Sequence, residues 1–178
     1  DISEEINPAY TYTEVYGSNI NNTTINNAIN QGVSFYNFRG YIYMNHWPDT
    51  MSSSLYNSYK LFHAVFITCS TGNFYGASQT STTEQVIRFG TAASLGGAIT
   101  AIGMATSSTH TPMNNCLDVG IFHGIYNLGM REMSSAMLYA KLYLHSVYGV
   151  SHPTQAQNFA AYCNLMGDPT AMVYVGTP

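Results

Sequence analysis

Charged side chains are scarce in this chain of 178 residues. They make up 8% of the sequence, whereas an average soluble domain carries about 25%. The net charge is −4, and the five basic residues are dispersed along the chain: Arg39, Lys60, Arg88, Arg131 and Lys141. Five separated cations cannot follow a phosphate backbone or an anionic membrane surface, so the composition argues against nucleic acid or membrane as a partner.

Long apolar runs and regularly spaced cysteines are also lacking. No stretch approaches the roughly 18 consecutive apolar residues of a membrane span, and the first residues, DISEEINPAY, do not have the pattern of a signal peptide. We therefore expect any export signal to lie upstream. Cys69, Cys116 and Cys163 have no C-x-x-C spacing, which argues against a zinc or redox site. Either two of them pair in an oxidising compartment, or all three are buried thiols.

Apolar and uncharged polar residues take the place of charge. Apolar types make up 46% of the chain, including 15 Tyr and 8 Phe, which predicts one folded domain over residues 1–178. The 17 Ser, 18 Thr and 16 Asn residues predict a polar but mostly uncharged surface. Such a surface is typical of secreted or cell-surface proteins, so we expect an extracellular location.

The order of apolar segments predicts an α/β fold, a mostly parallel sheet flanked by helices. Residues 1–22 are expected to be an irregular or β-like lead-in. Buried strands are predicted at 33–38, 63–69, 96–103 and, in the last segment, TAMVYV. Helices are predicted from an N-cap at Thr24 to Gly32, from a Ser81–Glu84 capping box to about residue 89, in two apolar stripes after residue 115, and from Pro153.

Binding and catalytic residues are expected at the carboxyl ends of the strands. The first strand leads into a loop with Arg39, Gly40, Tyr41, His46 and Trp47, the second ends in Thr68-Cys69-Ser70, and the third leads into residues 106–110. A cysteine at the end of a buried strand suits a nucleophile, because the sheet fixes its backbone and nearby N–H groups can bind an oxyanion. The alternative is that Cys69 is a core residue with no catalytic role.

Four segments resemble the gingipain-type cysteine peptidases. They are HAVFITCSTGNF, STTEQVIRFG, GGAITAIGMATSSTHTP and NLMGDPTAMVYV, and the match runs from about residue 25 to residue 175. The resemblance implies a three-layer, caspase-like fold. It also implies that further strands lie upstream, so that the chain is the C-terminal part of a catalytic domain. Its partner would then be an N-terminal precursor fragment or another subunit.

The resemblance also implies roles for individual residues. Cys69 matches the nucleophile, which would attack a peptide carbonyl while N–H groups near Gly40 and Cys69 bind the oxyanion. Glu84 matches an acidic residue behind the cysteine, but we favour the simpler explanation that it belongs to the capping box. Asp168, in Gly167-Asp168-Pro169, matches a position that we expect to form a local turn.

One departure from the family concerns the general base. The resemblance implies a Gly-His pair after the first strand, but here the pair is Gly40-Tyr41. Tyrosine has an ordinary pKa of about 10 and is a poor base near neutral pH. Three alternatives remain: His110 on the loop after the next strand, His46 further along the Tyr41 loop, or no base at all. We rank His110 slightly above His46.

The predicted substrate pocket is aromatic. Trp47 and Phe74, together with Tyr41, Tyr43 and Thr106, favour an apolar or aromatic substrate residue, whereas Asp49 and Asp118 are the few carboxylates that could pair with a basic one. No metal-binding motif is present. Calcium is implied by the resemblance alone, because the nine acidic residues are scattered, although main-chain carbonyls could hold an ion.

Three functions are therefore considered. The first is a cysteine endopeptidase acting on peptides or proteins through Cys69, with a non-standard or missing base. The second is a catalytically inactive relative that serves as a structural or adhesive subunit of an extracellular assembly. The third is an unrelated α/β binding domain.

Overall fold

The computed structural model describes residues 6, 10–15, 21–40, 47, 54–75 and 80–175. Its helices are α1 (Asn22–Gln31), α2 (Thr82–Ile87), α3 (Thr111–Tyr126), α4 (Met133–Tyr148) and α5 (Pro153–Tyr162). Its strands are β1 (Phe35–Phe38), β2 (Phe62–Phe66), β3 (Gly90–Thr91), β4 (Ser94–Leu95), β5 (Ala98–Met104) and β6 (Cys163–Gly167).

Four strands form one mixed sheet in the order β1-β2-β5-β6. The first three are parallel, with Phe38 opposite Phe66 and Phe66 opposite Gly103, and β6 runs antiparallel to β5. The carboxyl ends of β1, β2 and β5 therefore lie at the same edge. This confirms the predicted mostly parallel sheet, and β3 with β4 adds a separate small hairpin.

Both faces of the sheet are covered, which makes the fold three layers thick. Alternate side chains of β2 point to opposite sides, because successive strand residues face opposite surfaces. Val65 packs with α3, α4 and α5, whereas Ala64 and Phe66 pack with α1 and α2. All five residues of β2 are buried, as expected for a central strand of a parallel sheet.

The first two helices begin and end at residues with clear local causes. The α1 N-cap is Asn21, whose side chain accepts a hydrogen bond from Thr23 N, so the prediction of Thr24 as the cap was wrong by one turn. Gly32 ends the helix with a φ of 102°, a conformation that glycine adopts without strain. Ser81 and Glu84 form the expected capping box of α2.

The last predicted strand is in the wrong place. The antiparallel edge strand is β6, directly after α5, and not the TAMVYV segment. Within TAMVYV only Met172 forms a bridge, to Glu132, next to a hydrogen bond from Val173 N to Arg131 O. Cys163 to Gly167 pair with β5 because their backbone continues directly from α5 along the open edge of that strand.

The cysteines and helices settle two smaller points. Cys69, Cys116 and Cys163 are all free thiols, and burial raises the pKa of Cys116 to about 11 and that of Cys163 to about 12. Within the described ranges, none of the helices combines the length and the apolar character that crossing a membrane requires.

Candidate active site

The turn after β2 presents Cys69 at the carboxyl edge of the sheet. Cys69 is partly exposed, in contrast to the buried Cys116 and Cys163. The next residue, Ser70, has a φ of 59°, in the left-handed region that L-residues other than glycine rarely adopt. A hydrogen bond of 2.8 Å from Ser70 N to Thr106 O joins this turn to the loop after β5. The strained turn reverses the chain immediately after the sulfur-bearing residue.

Thr71 and Gly72 hold this turn against β5. The buried Thr71 hydroxyl shares its proton between the carbonyls of Phe66 and Thr68 and accepts a hydrogen bond from Met104 N. Gly72 N donates to Met104 O at 3.0 Å. A Cβ on Gly72 would lie 2.7 Å from the carbonyl carbon of Gly103, which is closer than real structures allow. The T-G pair after Cys69-Ser70 is thus explained by the packing of two loops.

Thr109 contacts the sulfur of Cys69. Its Oγ1 lies 3.0 Å from Cys69 Sγ and accepts a hydrogen bond of 2.9 Å from Asn114 Nδ2. A hydroxyl that already accepts from an amide can still donate its proton, so it can stabilise a thiolate, and it can also accept from a neutral thiol. Asn114 lies on α3 and is 3% exposed. Its buried amide therefore holds the Thr109 hydroxyl in one orientation.

Backbone geometry near Cys69 suits an oxyanion site. Thr68 N and Ser70 N both donate to carbonyl oxygens, whereas Cys69 N has no acceptor among the residues that the structure describes. The Thr68 hydroxyl donates to Gly40 O at 2.7 Å and so fixes the end of the β1 loop beside the cysteine. This contact places Gly40 next to the residue that precedes Cys69.

A polar cluster extends from the exposed Asn115 at this edge to the buried Asp118. The Arg39 guanidinium donates to Ile67 O and to Asn115 Oδ1, with its Nη2 at 2.6 Å from the latter. Arg39 Nε lies 3.8 Å from Asp118 Oδ2. Burial raises the pKa of Asp118 to about 7, against the opposing effects of Arg39 and of the Asn37 hydrogen bond. Burial also lowers the pKa of Arg39, which the charges of Asp118 and Cys69 oppose.

The candidate bases are not beside the sulfur in the described residues. His110 is exposed at the N-cap of α3, and its ring centroid lies 6.3 Å from that of Phe159. No hydrogen bond joins its imidazole to Cys69 in the described part of the chain. Tyr41 and His46 lie outside the described residues, as do Tyr43 and Asp49.

The predicted pocket residues divide into two groups. Thr106 and Phe74 belong to loops next to Cys69, and Phe74 is 58% exposed. Trp47 does not agree with the prediction, because its side chain is fully buried in the core and its Nε1 donates to Asn26 Oδ1 at 2.9 Å. A residue without accessible surface cannot line a substrate pocket in this conformation.

Two acidic residues have local structural tasks. Glu84 Oε2 accepts hydrogen bonds from Ser81 N at 2.8 Å and Ser81 Oγ at 2.7 Å, and these bonds lower the pKa of Glu84. Asp168 Oδ1 accepts from Thr170 N and from the Thr170 hydroxyl, forming the expected turn after β6 rather than after a helix. The Glu84 carboxylate is therefore engaged in a helix cap.

The described residues were also considered as metal ligands. They contain no group of three or more His, Cys, Asp or Glu side chains that could hold a metal ion. Asp118, the buried carboxylate of the site, is already next to the Arg39 guanidinium, which opposes cation binding. The described side chains therefore offer no cluster of carboxylates for calcium.

A partly exposed cysteine thus lies on a strained turn at the carboxyl edge of a three-layer α/β sheet. The family model described as Peptidase family C25 matches residues 1–174. The chain therefore belongs to peptidase family C25. Curated protein sequences gave no significant match.

Three solved structures share the fold. The Arg-specific cysteine proteinase gingipain R (RgpB) is 18% identical over 84% of this chain, with a TM-score of 0.72. The complex of Porphyromonas gingivalis RgpB pro- and mature domains is 16% identical over 97%, with a TM-score of 0.78. A third structure, described only as a protease, is 18% identical over 83%, with a TM-score of 0.67. The caspase-like, gingipain-type fold is thereby confirmed.

The chain spans less than half of each of these structures. It covers 35% of the gingipain R chain, 42% of the chain in the RgpB complex and 37% of the third.

Proposed function

We propose that the chain carries the nucleophile of a cysteine-type endopeptidase, and that this nucleophile is Cys69. Its sulfur would attack a peptide carbonyl, the negative charge that develops on the oxygen would be bound by N–H groups near Cys69 and Gly40, and a thioester would form as the amine leaves. Water would then hydrolyse the thioester. Membership of peptidase family C25 makes this the function that the site supports best.

The main observation that supports this proposal is the contact between Cys69 Sγ and Thr109 Oγ1. A cysteine that merely filled the core would be enclosed by apolar atoms, as Cys163 is. Cys69 is instead partly exposed, next to a hydroxyl that can donate to a thiolate and next to its own unengaged N–H. These are the two features that a thiol nucleophile requires.

The general base is the least defined part of the proposal. His110 would have to turn away from Phe159 to reach the sulfur, which a side chain at an exposed helix N-cap can do by rotation. His46 remains the second candidate and Tyr41 occupies the position where the family has histidine. We propose His110 first, because Thr109 already lies against Cys69.

We further propose an apolar or aromatic preference for the substrate. Phe74 and Tyr75 follow the Cys69 turn and are 58% and 94% exposed, so both rings are available to a bound peptide. Thr106 borders the same turn through the hydrogen bond from Ser70 N. A peptide library cut only after Arg or Lys would contradict this preference.

Peptide hydrolysis by the wild type and by Cys69→Ala tests the function. We expect the wild type to cleave an unstructured protein such as casein and Cys69→Ala to be inactive. His110→Ala and His46→Ala should then identify the base, with His152→Ala as a control on an exposed histidine at the start of α5. No cleavage by the wild type, alone or after addition of the upstream segment of its precursor, would contradict the proposal.

The alternative is an inactive, structural or adhesive subunit. Its supporting observation is that no imidazole is hydrogen-bonded to Cys69 in the described residues. Leu138 and Leu142 on α4 are also 59% and 61% exposed, so this face could pack in a larger assembly. Iodoacetamide separates the two functions, because an activated Cys69 reacts at neutral pH far faster than an ordinary exposed thiol.

Partners and location remain proposals as well. We propose a peptide or protein substrate, an N-terminal precursor fragment or other subunit as partner, and secretion or display on the cell surface. A pro-domain complex of RgpB is among the structures that share the fold, and the uncharged polar surface suits an extracellular protein. A stable monomer without dye-accessible apolar surface in light-scattering and dye-binding experiments would contradict the partner.

A further inference from the structure

The polar cluster of Arg39, Asn115 and Asp118 contacts the chain segment that leads to the candidate nucleophile. Ile67, whose carbonyl accepts from the Arg39 guanidinium, is two residues before Cys69. The Thr68 hydroxyl donates to Gly40 O, the residue after Arg39, so the two chain segments are joined twice. The charges of Arg39 and Cys69 are close enough to interact. A cation is therefore held against the backbone of the segment that carries Cys69.

The guanidinium is oriented from α3. Asn115 Oδ1 accepts from both Nε and Nη2 of Arg39, at 3.2 and 2.6 Å. The Oδ2 atom of Asp118, one turn further along α3, lies 3.8 Å from Nε and accepts a hydrogen bond of 3.3 Å from Asn37 Nδ2. Asn115 and Asp118 of α3, together with Ile67 O just after β2, therefore fix a planar cation that would otherwise move freely.

The cluster contributes little to the stability of the fold, because it includes a buried carboxylate and polar atoms without partners. The side chain of Asp118 is 3% exposed, and its Oδ1 has no hydrogen-bond partner among the described residues. The Oδ1 atoms of Asn37 and Asn114 are likewise buried without a partner in that part of the chain. Buried charges and unsatisfied polar atoms often stabilise a protein less than apolar residues of the same size would. This observation favours a functional reason for the cluster.

We propose that Arg39 is a positioning residue for the nucleophile: its guanidinium, held by Asn115 and Asp118, stabilises the Cys69 thiolate, and Asp118 limits how much positive charge the sulfur experiences. The inference rests on the proposed function, since it gives Cys69 a cationic partner at a site where the family's histidine position holds Tyr41. Arg39 cannot act as a base, because it remains protonated at physiological pH.

The surrounding titratable groups define the expected pH behaviour. Asp118 of α3 lies 3.8 Å from Arg39, and Cys69 is two residues after Ile67, whose carbonyl accepts from Arg39. Further away, the charges of Lys141 and Asp118 act in opposite directions on the pKa of Cys163 in β6. His110, the residue after Thr109, is the other titratable group of this loop among the described residues. Replacing Arg39 removes a positive charge from the surroundings of the sulfur, whereas neutralising Asp118 removes a negative one. The two changes must shift the pKa of Cys69 in opposite directions.

The test is the pH profile of Cys69 alkylation by iodoacetamide in the full chain, followed by mass spectrometry of the Cys69 peptide. Arg39→Met should raise the apparent pKa of Cys69 by about one unit, which lowers the thiolate fraction near neutral pH about tenfold. Asp118→Asn should lower it, and Arg39→Lys should lie between wild type and Arg39→Met. Equal profiles, or shifts of Arg39→Met and Asp118→Asn in the same direction, would overturn the proposal.

A folding control and a milder variant accompany this series. Cys116 and Cys163 are buried, so their protection from iodoacetamide reports that a variant is folded. Should Arg39→Met unfold, Asn115→Ala removes two contacts of the guanidinium from an exposed position and leaves the charge pair intact. It should raise the pKa of Cys69 by a smaller amount, and an unchanged profile in a folded Asn115→Ala would overturn the proposal.

Failure of this inference can be told apart from failure of the proposed function. Alkylation does not require hydrolysis. Opposite shifts without any peptide cleavage would support the role of Arg39 and contradict the endopeptidase. Cleavage that depends on Cys69, combined with unchanged profiles in Arg39→Met and Asp118→Asn, would support the endopeptidase and contradict the role of Arg39.

Discussion

Thr109 Oγ1 lies 3.0 Å from Cys69 Sγ and joins the ends of two neighbouring strands. Cys69 follows β2, and Thr109 lies between β5 and α3. The amide of Asn114 donates to the same hydroxyl, so α3 controls which way the proton points. The reactivity of the sulfur therefore depends on the loop after β5 as well as on its own turn.

Replacing Thr109 by valine should make Cys69 less reactive. Valine keeps the shape of threonine but removes the hydroxyl that can donate to the thiolate, so we expect the apparent pKa of Cys69 to rise by about one unit. The rate of iodoacetamide labelling between pH 6 and 10 measures this shift. Thr106→Val is the control, because that hydroxyl accepts from Ser108 N instead. An unchanged labelling profile in Thr109→Val would show that the contact is only steric.

Replacing Ser70 by glycine should stabilise the protein. At a φ of 59°, serine is strained by roughly 1–2 kcal/mol, whereas glycine adopts this conformation freely. Glycine also gives the unfolded chain more conformational freedom, which offsets part of this gain. We therefore expect a net increase of about 0.5–1 kcal/mol in the free energy of unfolding in urea. Ser107→Gly, in the exposed loop after β5, has no such strain to relieve and should not stabilise. Equal effects of the two substitutions would contradict the role of strain.

The sequence predicted the fold well where the cause is local. The apolar runs of β2 and β5 are buried strands because both faces of a parallel sheet are covered, and the Ser81–Glu84 capping box starts α2 as expected. The run at 33–38 was also predicted to be buried, but β1 is only half-buried because it lies at the end of the order of described strands. The errors arise where tertiary pairing decides. TAMVYV has the composition of a strand, yet the backbone of residues 163–167 reaches β5 first because it leaves α5 at the edge of the sheet.

The same distinction applies to the candidate site. Cys69 was found from its place at a strand end and from the resemblance, both of which are readable in the sequence. Thr109, Asn115 and Asp118 are 40 or more residues away, and their contacts with the Cys69 and Arg39 loops come from the parallel order of the strands. The pocket prediction for Trp47 failed for a different reason. An aromatic residue in a predicted loop suits a pocket and the core equally well, and here the side chain is buried.

Replacing Gly72 by alanine should destabilise the protein. The added Cβ would lie 2.7 Å from the carbonyl carbon of Gly103, and backbone atoms cannot move aside as a flexible side chain does. We expect a loss of about 1–3 kcal/mol in the free energy of unfolding, together with slower labelling of Cys69 as its turn is displaced. Gly129→Ala is the control, since its Cβ would meet nothing within 4 Å and only its φ of 69° opposes the change. A smaller loss for Gly72 than for Gly129 would contradict close packing of these loops.

Asp118 should make the protein less stable as the pH rises. Burial raises its pKa in the folded state to about 7, above its ordinary value of 3.8, so between these values the folded state binds a proton that the unfolded state has released. The contribution of Asp118 to the free energy of unfolding is therefore full below pH 3.8 and is lost as the pH rises towards 7, by up to about 4 kcal/mol. Urea unfolding at pH 5 and pH 8 measures the change.

Asp118→Asn is the variant that isolates this effect. Asparagine keeps the shape and can accept from Asn37 Nδ2, but it does not titrate, so we expect its stability to fall less than that of the wild type between pH 5 and pH 8. His63 acts with the opposite sign: burial lowers its pKa, so its protonation in the unfolded state reduces stability as the pH falls below about 6.5. Because His63 is common to both proteins, it cancels in the comparison. Equal pH dependence of wild type and Asp118→Asn would mean that the Asp118 carboxylate is already ionised at pH 5, with Arg39 fully offsetting its burial.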